Sequence, residues 1–423
     1  MNEITHDPSE YVRGLQQLLI SDKKRIAFLF GAGTSLARKS ERTMCIPTME
    51  KMTEEIGEEL GKRKEYQKAI EEIKSEIGEK KYNIETLLSN LEQKQQIIGN
   101  GLLNGLRVDA LKNLIKEIKK QIREKVSIHK TICADEDLME HLIHADFAEW
   151  LARADRKYPI EIFTTNYDYL FELGMEFKGV PYYDGFTGSY VPFFNSASIE
   201  DLAFLPQQTK LWKIHGSLGW HFDEETKRVI RKDSSEQDIL IYPSTLKYSD
   251  SKKQPYIALM DRLSSFLKQD DTVLIACGYS FGDEHINERM LTALKGNSSS
   301  HVIALFYDVF YDGKDRKYSM ENNVSLLAMA KENSKLSLYG CRGAVIGCQY
   351  GKWKLKAEPD KMDTLNVNLY FDEDAPTMTE EINVEKKGGE AWTGKGELIL
   401  PDFSRFVTFL TSMIINNTII KGT

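Results

Sequence analysis

The sequence contains few cysteines and no long hydrophobic run. Its five cysteines include no Cys-x-x-Cys pair, which argues against a disulfide framework or a cysteine-rich zinc site. No apolar stretch approaches the roughly 18 residues that are needed to span a bilayer. The best candidate, residues 406–415, is interrupted by two threonines and a serine. Composition therefore excludes a disulfide-stabilised secreted fold and predicts no membrane anchor.

The chain also lacks an excess of positive charge. Its 423 residues carry 56 Lys and Arg against 64 Asp and Glu, a formal net charge of -8. That sign opposes general adhesion to nucleic acid or to anionic membranes. The first seven residues are polar and acidic, unlike the basic start and apolar stretch of a signal peptide. We therefore expect a cytoplasmic protein of two or three domains that binds neither nucleic acid directly nor a membrane.

Short apolar or β-branched runs, bounded by turn residues or charges, are typical of buried strands. Several of these runs lack alternation between apolar and polar residues, which indicates a sheet covered on both faces. The sequence therefore predicts an α/β fold with a Rossmann-like parallel sheet and helices on both faces. The predicted strands cover residues 25–30, 160–165, 211–214, 272–277 and 301–307, with residues 239–242 as a sixth candidate.

A long segment between the first and second predicted strands is almost all helical in pattern. Apolar residues recur there at helical spacing, as in Ile70, Ile73 and Ile77. Thr48 is a candidate N-cap, and Asn100-Gly101 marks a break before a long helix. We interpret this segment as a large helical insertion after the first strand, and its role as a lid, an oligomer contact or simple packing is open.

The predicted organisation has three parts. The sheet comprises residues 1–47 and 155–310, and the helical insertion comprises residues 48–154. A small mixed α+β region, a candidate oligomer or partner contact, covers residues 311–423. Within that last part, the pattern predicts a helix at 321–332, β-like pieces at 336–339, 344–346 and 365–371, and a final apolar segment at 403–415.

Four polar or glycine-containing clusters each follow directly after an apolar run. Loops that leave the carboxyl ends of parallel strands converge on one crevice, and ligands bind there. The clusters therefore predict a single site. They are Gly31-Ala32-Gly33-Thr34-Ser35, Asn166-Tyr167-Asp168, His215-Gly216-Ser217 and Gly278-Tyr279-Ser280-Phe281-Gly282-Asp283.

The first two clusters fit contacts with a nucleotide. Gly31 and Gly33 would let backbone N–H groups approach a pyrophosphate, although the third glycine of the dinucleotide fingerprint is missing. Taken alone, the two glycines are more often explained by a tight structural turn. Asn166 can orient a water or a ribose hydroxyl, and Asp168 can hold an amide or a hydroxyl. The alternative is that both residues cap the following helix.

The other two clusters add a titratable group and a hydroxyl. His215 stands beside a glycine that leaves space next to its imidazole, and histidine can exchange a proton near neutral pH. A purely structural histidine is the alternative. Ser280 can bind a ribose or a phosphate, whereas Asp283 is better explained as the cap of a helix that begins near Glu284.

A metal site is not predicted. His141 and His144 lie three residues apart on a predicted helix, with Asp146 and Glu149 nearby. This spacing suits a metal, but no further ligand set accompanies it.

Taken in order, the phrases GAGTS, TTNYD, KIHGS and CGYSFGD resemble those of the sirtuin-like family of NAD-consuming enzymes. The resemblance covers about residues 20–45 and 155–310. It is strongest to the bacterial anti-phage branch of NAD hydrolases, and within that branch to the subunit that pairs with a HerA-type ATPase. It implies that Asn166 and His215 are catalytic, and that the NAD contacts are made by Gly31, Ala32, Gly33, Ser35, Asp168, Gly278, Ser280 and Phe281.

Two departures bear on the reaction. Sirtuin deacylases carry a four-cysteine zinc module, which this chain has no cysteine pairs to build. Their Gly-Ile-Pro-Asp-Phe-Arg phrase is reduced here to Ile46-Pro47-Thr48-Met49-Glu50, without its Asp and Arg. Both departures argue against acyl-lysine substrates.

The resemblance therefore implies an NAD hydrolase that releases nicotinamide and ADP-ribose without a metal and depletes NAD in anti-phage defence. It also implies a homo-oligomer that works with a HerA-type hexameric ATPase or another defence partner. Protein deacylation or ADP-ribosyl transfer is one alternative. A non-catalytic subunit that senses NAD or ADP-ribose is another, and NADP is open as a substrate because no residue clearly reads the 2′ position.

Overall fold

The computed structural model describes residues 4–154, 156–223, 225–232, 240–241, 254–312, 315–360, 363–375 and 392–415. The helices are α1 (Pro8–Ile20), α2 (Met49–Gly61), α3 (Lys64–Ile77), α4 (Ile84–Ile97), α5 (Val108–Val126), α6 (His129–Cys133), α7 (Glu136–Glu140), α8 (Ile143–Arg153), α9 (Leu170–Phe177), α10 (Ser196–Glu200), α11 (Tyr256–Leu267), α12 (Glu284–Gly296), α13 (Val324–Lys331) and α14 (Phe403–Ile415).

The strands are β1 (Thr5–His6), β2 (Arg25–Phe30), β3 (Glu161–Thr164), β4 (Tyr182–Tyr183), β5 (Phe186–Thr187), β6 (Phe193–Phe194), β7 (Thr209–Lys213), β8 (Gly216–Ser217), β9 (Trp220–Asp223), β10 (Arg228–Arg231), β11 (Leu240–Ile241), β12 (Thr272–Cys277), β13 (His301–Leu305), β14 (Val309–Asp312), β15 (Asp315–Tyr318), β16 (Leu336–Tyr339), β17 (Gly343–Ile346), β18 (Gln349–Trp353), β19 (Phe371–Asp372) and β20 (Glu397–Leu398).

A ten-stranded sheet forms the centre of the fold, in the order β1-β18-β17-β16-β13-β12-β2-β3-β7-β4. The run from β16 to β4 is parallel throughout. Six of these strands lie side by side in the order β7-β3-β2-β12-β13-β16. Numbered by their order along the chain, they have the 3-2-1-4-5-6 arrangement of a Rossmann sheet. The predicted Rossmann-like fold is confirmed. The strand order reverses between β2 and β12, and such a switch point is where open α/β sheets bind ligands.

Strand β2 explains why the central strands show no polar alternation. Phe28 and Phe30 pack into one hydrophobic core, which includes side chains of α1, α8 and α14. Ala27 and Leu29 pack on the opposite face into a second core, which includes side chains of α11 and α12. Because both faces are covered, the five buried positions 26–30 favour apolar residues.

Helices α2 to α7 lie between β2 and β3, within the segment 48–154 that the sequence predicts as a helical insertion. Thr48 caps α2, since its side chain accepts a hydrogen bond from the Lys51 N–H at 3.2 Å. The helices bury their apolar faces in a third core of their own, and α8 then leads back to the sheet. None of the helices within the described ranges has the length and apolar character needed to cross a membrane.

Two of the strand predictions are confirmed only in part. In the region 365–371, a 3-10 turn (Val367–Leu369) forms and strand β19 begins only at Phe371. The Asn366 side chain accepts a hydrogen bond from the Asn368 N–H at 3.0 Å at the start of that turn. Of residues 239–242, β11 pairs with β8 in a separate antiparallel ribbon and does not join the central sheet. Residues 239 and 242 lie outside the described ranges.

Candidate functional site

Four loops leave the carboxyl ends of the neighbouring parallel strands β12, β2, β3 and β7. They carry the four clusters singled out in the sequence. Hydrogen bonds join each loop to the next, and a contact between the two outer loops closes the ring. The four contacts are described in turn.

The β2 and β12 loops meet through glycine backbone at the switch point of the sheet. Gly33 N–H donates to the Gly278 carbonyl at 2.9 Å. A Cβ on Gly31 would lie 2.5 Å from that same oxygen, and a Cβ on Gly33 would lie 2.7 Å from the Gly278 Cα. Gly278 itself has a φ of +66°, which favours glycine. Because these residues are glycines, the two loop backbones can lie in contact, and a side chain at these positions would prevent that contact.

The β2 and β3 loops meet through the buried amide of Asn166. Its Nδ2 donates to Gly31 O at 3.2 Å, to Thr34 Oγ1 at 3.0 Å and to Ser35 Oγ at 2.9 Å. A carbonyl can only accept, so Gly31 O fixes which end of the amide is the nitrogen. Among the described residues, no group donates a hydrogen bond to Asn166 Oδ1. That oxygen can accept a hydrogen bond from a ligand or a water.

Asp168 uses both carboxylate oxygens within the protein. Oδ2 accepts from Ser35 Oγ at 2.7 Å, and Oδ1 accepts from the Leu170 N–H at 3.0 Å. The residue therefore closes the turn before α9 and also fixes the Ser35 hydroxyl. Ser35, Asn166 and Asp168 form one buried hydrogen-bonded group.

The β3 and β7 loops are joined by backbone, since Leu218 N–H donates to the Tyr167 carbonyl at 2.9 Å. Lys213 lies beneath this contact, with its side chain 2% exposed. Its ammonium group donates to the Asp168 carbonyl and to Glu172 Oε1, the latter at 2.8 Å. Burial raises the pKa of Glu172, and the Lys213 charge opposes that rise. The ion pair anchors the backbone that carries Asn166 and Asp168.

The β7 and β12 loops are joined by His215 and Asp283, whose Nε2 and Oδ2 atoms lie 3.0 Å apart. The other carboxylate oxygen, Oδ1, accepts from the His285 and Ile286 N–H groups and so caps α12. The capping role that the sequence suggested for Asp283 is present, together with a second role that the sequence did not reveal. A carboxylate in this position can accept a hydrogen bond from the imidazole and so orient the ring.

The remaining predicted residues, Ala32, Ser280 and Phe281, differ in their exposure. Ala32 and Ser280 are exposed, and the Ser280 hydroxyl accepts from the Gly282 N–H at 3.4 Å. Phe281 is buried against Tyr279, with ring centroids 4.8 Å apart. Its φ of +58° is unusual for a phenylalanine and marks local strain in the loop. Ala32 and Ser280 are thus accessible to a ligand, whereas the Phe281 ring packs inside its own loop.

Several supporting residues were not identified from the sequence. Thr34 accepts from Asn166, and Lys213 with Glu172 supports the loop from below. Lys213 carries a usable signal, because a lysine within the apolar run of β7 needs a buried partner. Which partner it has depends on packing and is not encoded locally.

The two histidines with metal-compatible spacing have separate surroundings. The His144 ring packs on Phe171 at 4.6 Å between centroids and on Phe403, and burial lowers its pKa to about 3. His141 Nδ1 donates to the Asp137 carbonyl at 2.8 Å. Within the described ranges, no group of three or more His, Cys, Asp or Glu side chains could hold a metal ion.

Comparison with known families finds a match over part of the chain. Residues 160–327 match the model of the SIR2-like domain. The matched segment begins at β3 and contains the loops of Asn166, His215 and Gly278, while the β2 loop lies before it. No curated protein matches the chain significantly. The match supports a sirtuin-like, NAD-related function for the site built by these loops.

Proposed function

We propose that this protein is an NAD hydrolase that cleaves the bond between nicotinamide and ribose, giving nicotinamide and ADP-ribose. The observation that carries the proposal is the closed ring of hydrogen-bonded loops at the switch point of the sheet. It brings the Ser35–Asn166–Asp168 group and the His215–Asp283 pair to one edge. The SIR2-like match over three of the four loops adds support from the sequence.

The chemistry needs little from the protein at the leaving group. Nicotinamide in NAD is cationic, so when its bond to C1′ breaks, the electron pair neutralises the ring and no acid is required. The ribose then resembles an oxocarbenium ion, as in other glycosyl cleavage. Asn166 Oδ1 would accept a hydrogen bond from the attacking water or a ribose hydroxyl. Because its amide nitrogen is already fixed by three acceptors, this oxygen needs no reorganisation during the reaction.

His215 would act as the base. As the water oxygen bonds to C1′, its proton passes to the imidazole, and Asp283 stabilises the imidazolium that forms. The products are nicotinamide, ADP-ribose and one proton, so no further reactant is needed. Ser280 and Ala32, both exposed, would contact the rest of the dinucleotide.

The biological role and the partners are part of the same proposal and rest on the resemblance. We propose a cytoplasmic enzyme that depletes NAD during anti-phage defence. It would act as a homo-oligomer with a HerA-type ATPase or another defence partner. A mass measurement that gives only a monomer at high concentration would contradict the oligomer.

The direct test is chromatography of NAD incubated with the wild-type protein, His215→Ala and Asn166→Ala, with His141→Ala as a control outside the ring. We expect nicotinamide and ADP-ribose from the wild type and the control. In the two site variants the rate should fall on the order of 100 to 10,000 fold.

Other outcomes point to other functions. NAD consumption only in the presence of an acyl-lysine peptide would indicate a deacylase. Thermal stabilisation by NAD without turnover, with and without candidate partners, would indicate a sensing subunit and contradict the hydrolase.

A further inference from the structure

The helical insertion contacts the predicted catalytic loop directly. Tyr167 stands between Asn166 and Asp168, and its hydroxyl donates to Glu85 Oε1 of helix α4 at 2.5 Å. Burial raises the pKa of Tyr167 well above 10, and the Glu85 carboxylate adds to that rise. The phenol therefore stays protonated and remains the donor. The contact joins residues that are 82 positions apart in the chain.

Glu85 is held in place by the start of its own helix. The Asn83 side chain accepts from the Glu85 and Thr86 N–H groups, and Thr86 Oγ1 accepts in return from the Asn83 N–H. This capping box fixes the first turn of α4. The Ile84 N–H also donates to Thr53 Oγ1 of α2 at 2.9 Å. In addition, a carboxylate is stabilised near a helix N-terminus. Glu85 is thus a fixed acceptor.

Around this hydrogen bond, the contact between the insertion and the site region is apolar. Leu170 and Leu173 of helix α9, together with Leu218 of the β7 loop, belong to the core of the insertion. His129 of α6 also packs edge-on against Tyr169, with centroids 4.9 Å apart. Apolar burial is not directional, so it keeps the loop near the insertion without setting its orientation. The hydrogen bond from Tyr167 to Glu85 is directional.

Resting on the proposed hydrolase, we propose that Glu85 is a positioning residue for the reaction. Acting through Tyr167, it fixes the orientation of the loop 166–168 and so places the Asn166 and Asp168 side chains. The insertion then supports the active site, and it does so through the Glu85 carboxylate of α4.

The test compares the turnover of Glu85→Ala and Tyr167→Phe with that of Glu85→Gln. We expect the loss of this charge-assisted hydrogen bond to lower kcat by about tenfold. KM should change less than kcat, since the exposed residues Ala32 and Ser280 lie outside the loop 166–168. Gln keeps an acceptor oxygen, so Glu85→Gln should retain most of the activity. Glu92→Ala, on the same helix, is the matched control because Glu92 pairs with Lys119 and not with the loop.

A double variant separates positioning from a general loss of structure. If Glu85 acts through Tyr167, Glu85→Ala should have no further effect on kcat in the Tyr167→Phe background. An equal loss in both backgrounds would overturn the proposal. Wild-type kcat in Glu85→Ala, or the same loss in Glu92→Ala, would also overturn it.

Hydrogen exchange tests the contact even without turnover. Amides of residues 164–172 should exchange faster in Glu85→Ala and Tyr167→Phe than in wild type or Glu92→Ala. If the wild type does not cleave NAD, the proposed function fails while the exchange result still reports on Glu85. Unchanged exchange in both variants would overturn the positioning role.

Discussion

The insertion helices and the four site loops differ in the side chains they bury. Among the described residues of 49–142, the buried polar side chains are Ser89 and Gln121, and charges such as Glu92 and Lys119 pair near the surface. The site loops, with the end of β7, bury many polar side chains: Thr34, Ser35, Asn166, Asp168, Lys213, Ser217 and Asp283.

That difference separates the two roles. A buried polar group destabilises a fold unless it is hydrogen-bonded, so an element selected only for packing excludes such groups. The insertion buries few polar side chains and is stabilised by its apolar core, although Asn90 Oδ1 and Ser127 Oγ are buried there without a hydrogen-bond partner among the described residues. The loops retain polar groups and satisfy them through each other, which produces a rigid polar edge suited to chemistry. Five changes test this contrast.

The largest expected effect is on the buried ion pair beneath the loops. Lys213→Met leaves the Glu172 carboxylate buried without its cation, and we expect a loss of about 3–5 kcal/mol in the free energy of unfolding. Urea denaturation measures it. Lys213→Met combined with Glu172→Leu removes both charges and should recover most of the loss. Lys119→Met in the insertion should cost at most about 1 kcal/mol, because its pair with Glu92 is partly exposed. Equal losses for Lys213→Met and Lys119→Met would remove the contrast.

Gly31→Ala tests the contact between the β2 and β12 loops. The new Cβ would lie 2.5 Å from Gly278 O and 2.8 Å from the Tyr279 Cα, and neither backbone atom can rotate away. We expect about 1–3 kcal/mol of destabilisation by urea denaturation, from overpacking. The rate of NAD cleavage should fall as well, because the loops must separate. A variant as stable and as active as wild type would mean that the loops have room to move apart.

His144 tests what burial does without a partner, in the helix that joins the two regions. Neither ring nitrogen has a hydrogen-bond partner among the residues described, and burial lowers the pKa from 6.5 to about 3. Between these values the unfolded chain binds the proton and the folded protein does not. Stability should therefore fall as pH drops from about 6.5 towards 3, by about 1.4 kcal/mol per pH unit from this residue. His144→Leu should show a shallower pH dependence in urea denaturation, and identical profiles would contradict the assignment.

Local features of the fold were predictable from the sequence, and long-range partners were not. The apolar runs of β2 and β12 and the cap at Thr48 depend on neighbouring residues, and their positions were confirmed. Convergence of the four loops followed from the geometry of a parallel sheet. The partners of Lys213, Tyr167 and His215 lie 41, 82 and 68 positions away, so only tertiary packing selects them.

Asp283→Asn separates the two roles of that carboxylate. Asparagine caps a helix as well as aspartate does, so α12 and the unfolding free energy should change little. The amide no longer stabilises a charged His215, and we expect kcat for NAD cleavage to fall about tenfold, equivalent to about 1.4 kcal/mol. If Asp283→Asn keeps full activity while Asp283→Ala loses it, capping alone explains the residue.

The smallest expected effect is an increase in the free energy of unfolding, caused by a substitution in the insertion. Gly57 is inside α2, and a Cβ built there meets no atom within 4 Å. Alanine loses less backbone entropy than glycine on folding, so Gly57→Ala should stabilise the protein by about 0.5–1 kcal/mol in urea denaturation. NAD cleavage should stay at the wild-type rate. The same substitution at Gly31 is expected to destabilise, since there the glycine serves contact between loops and not helix formation. Destabilisation at both positions would mean that the insertion is packed as tightly as the site, and that the two regions differ only in polarity.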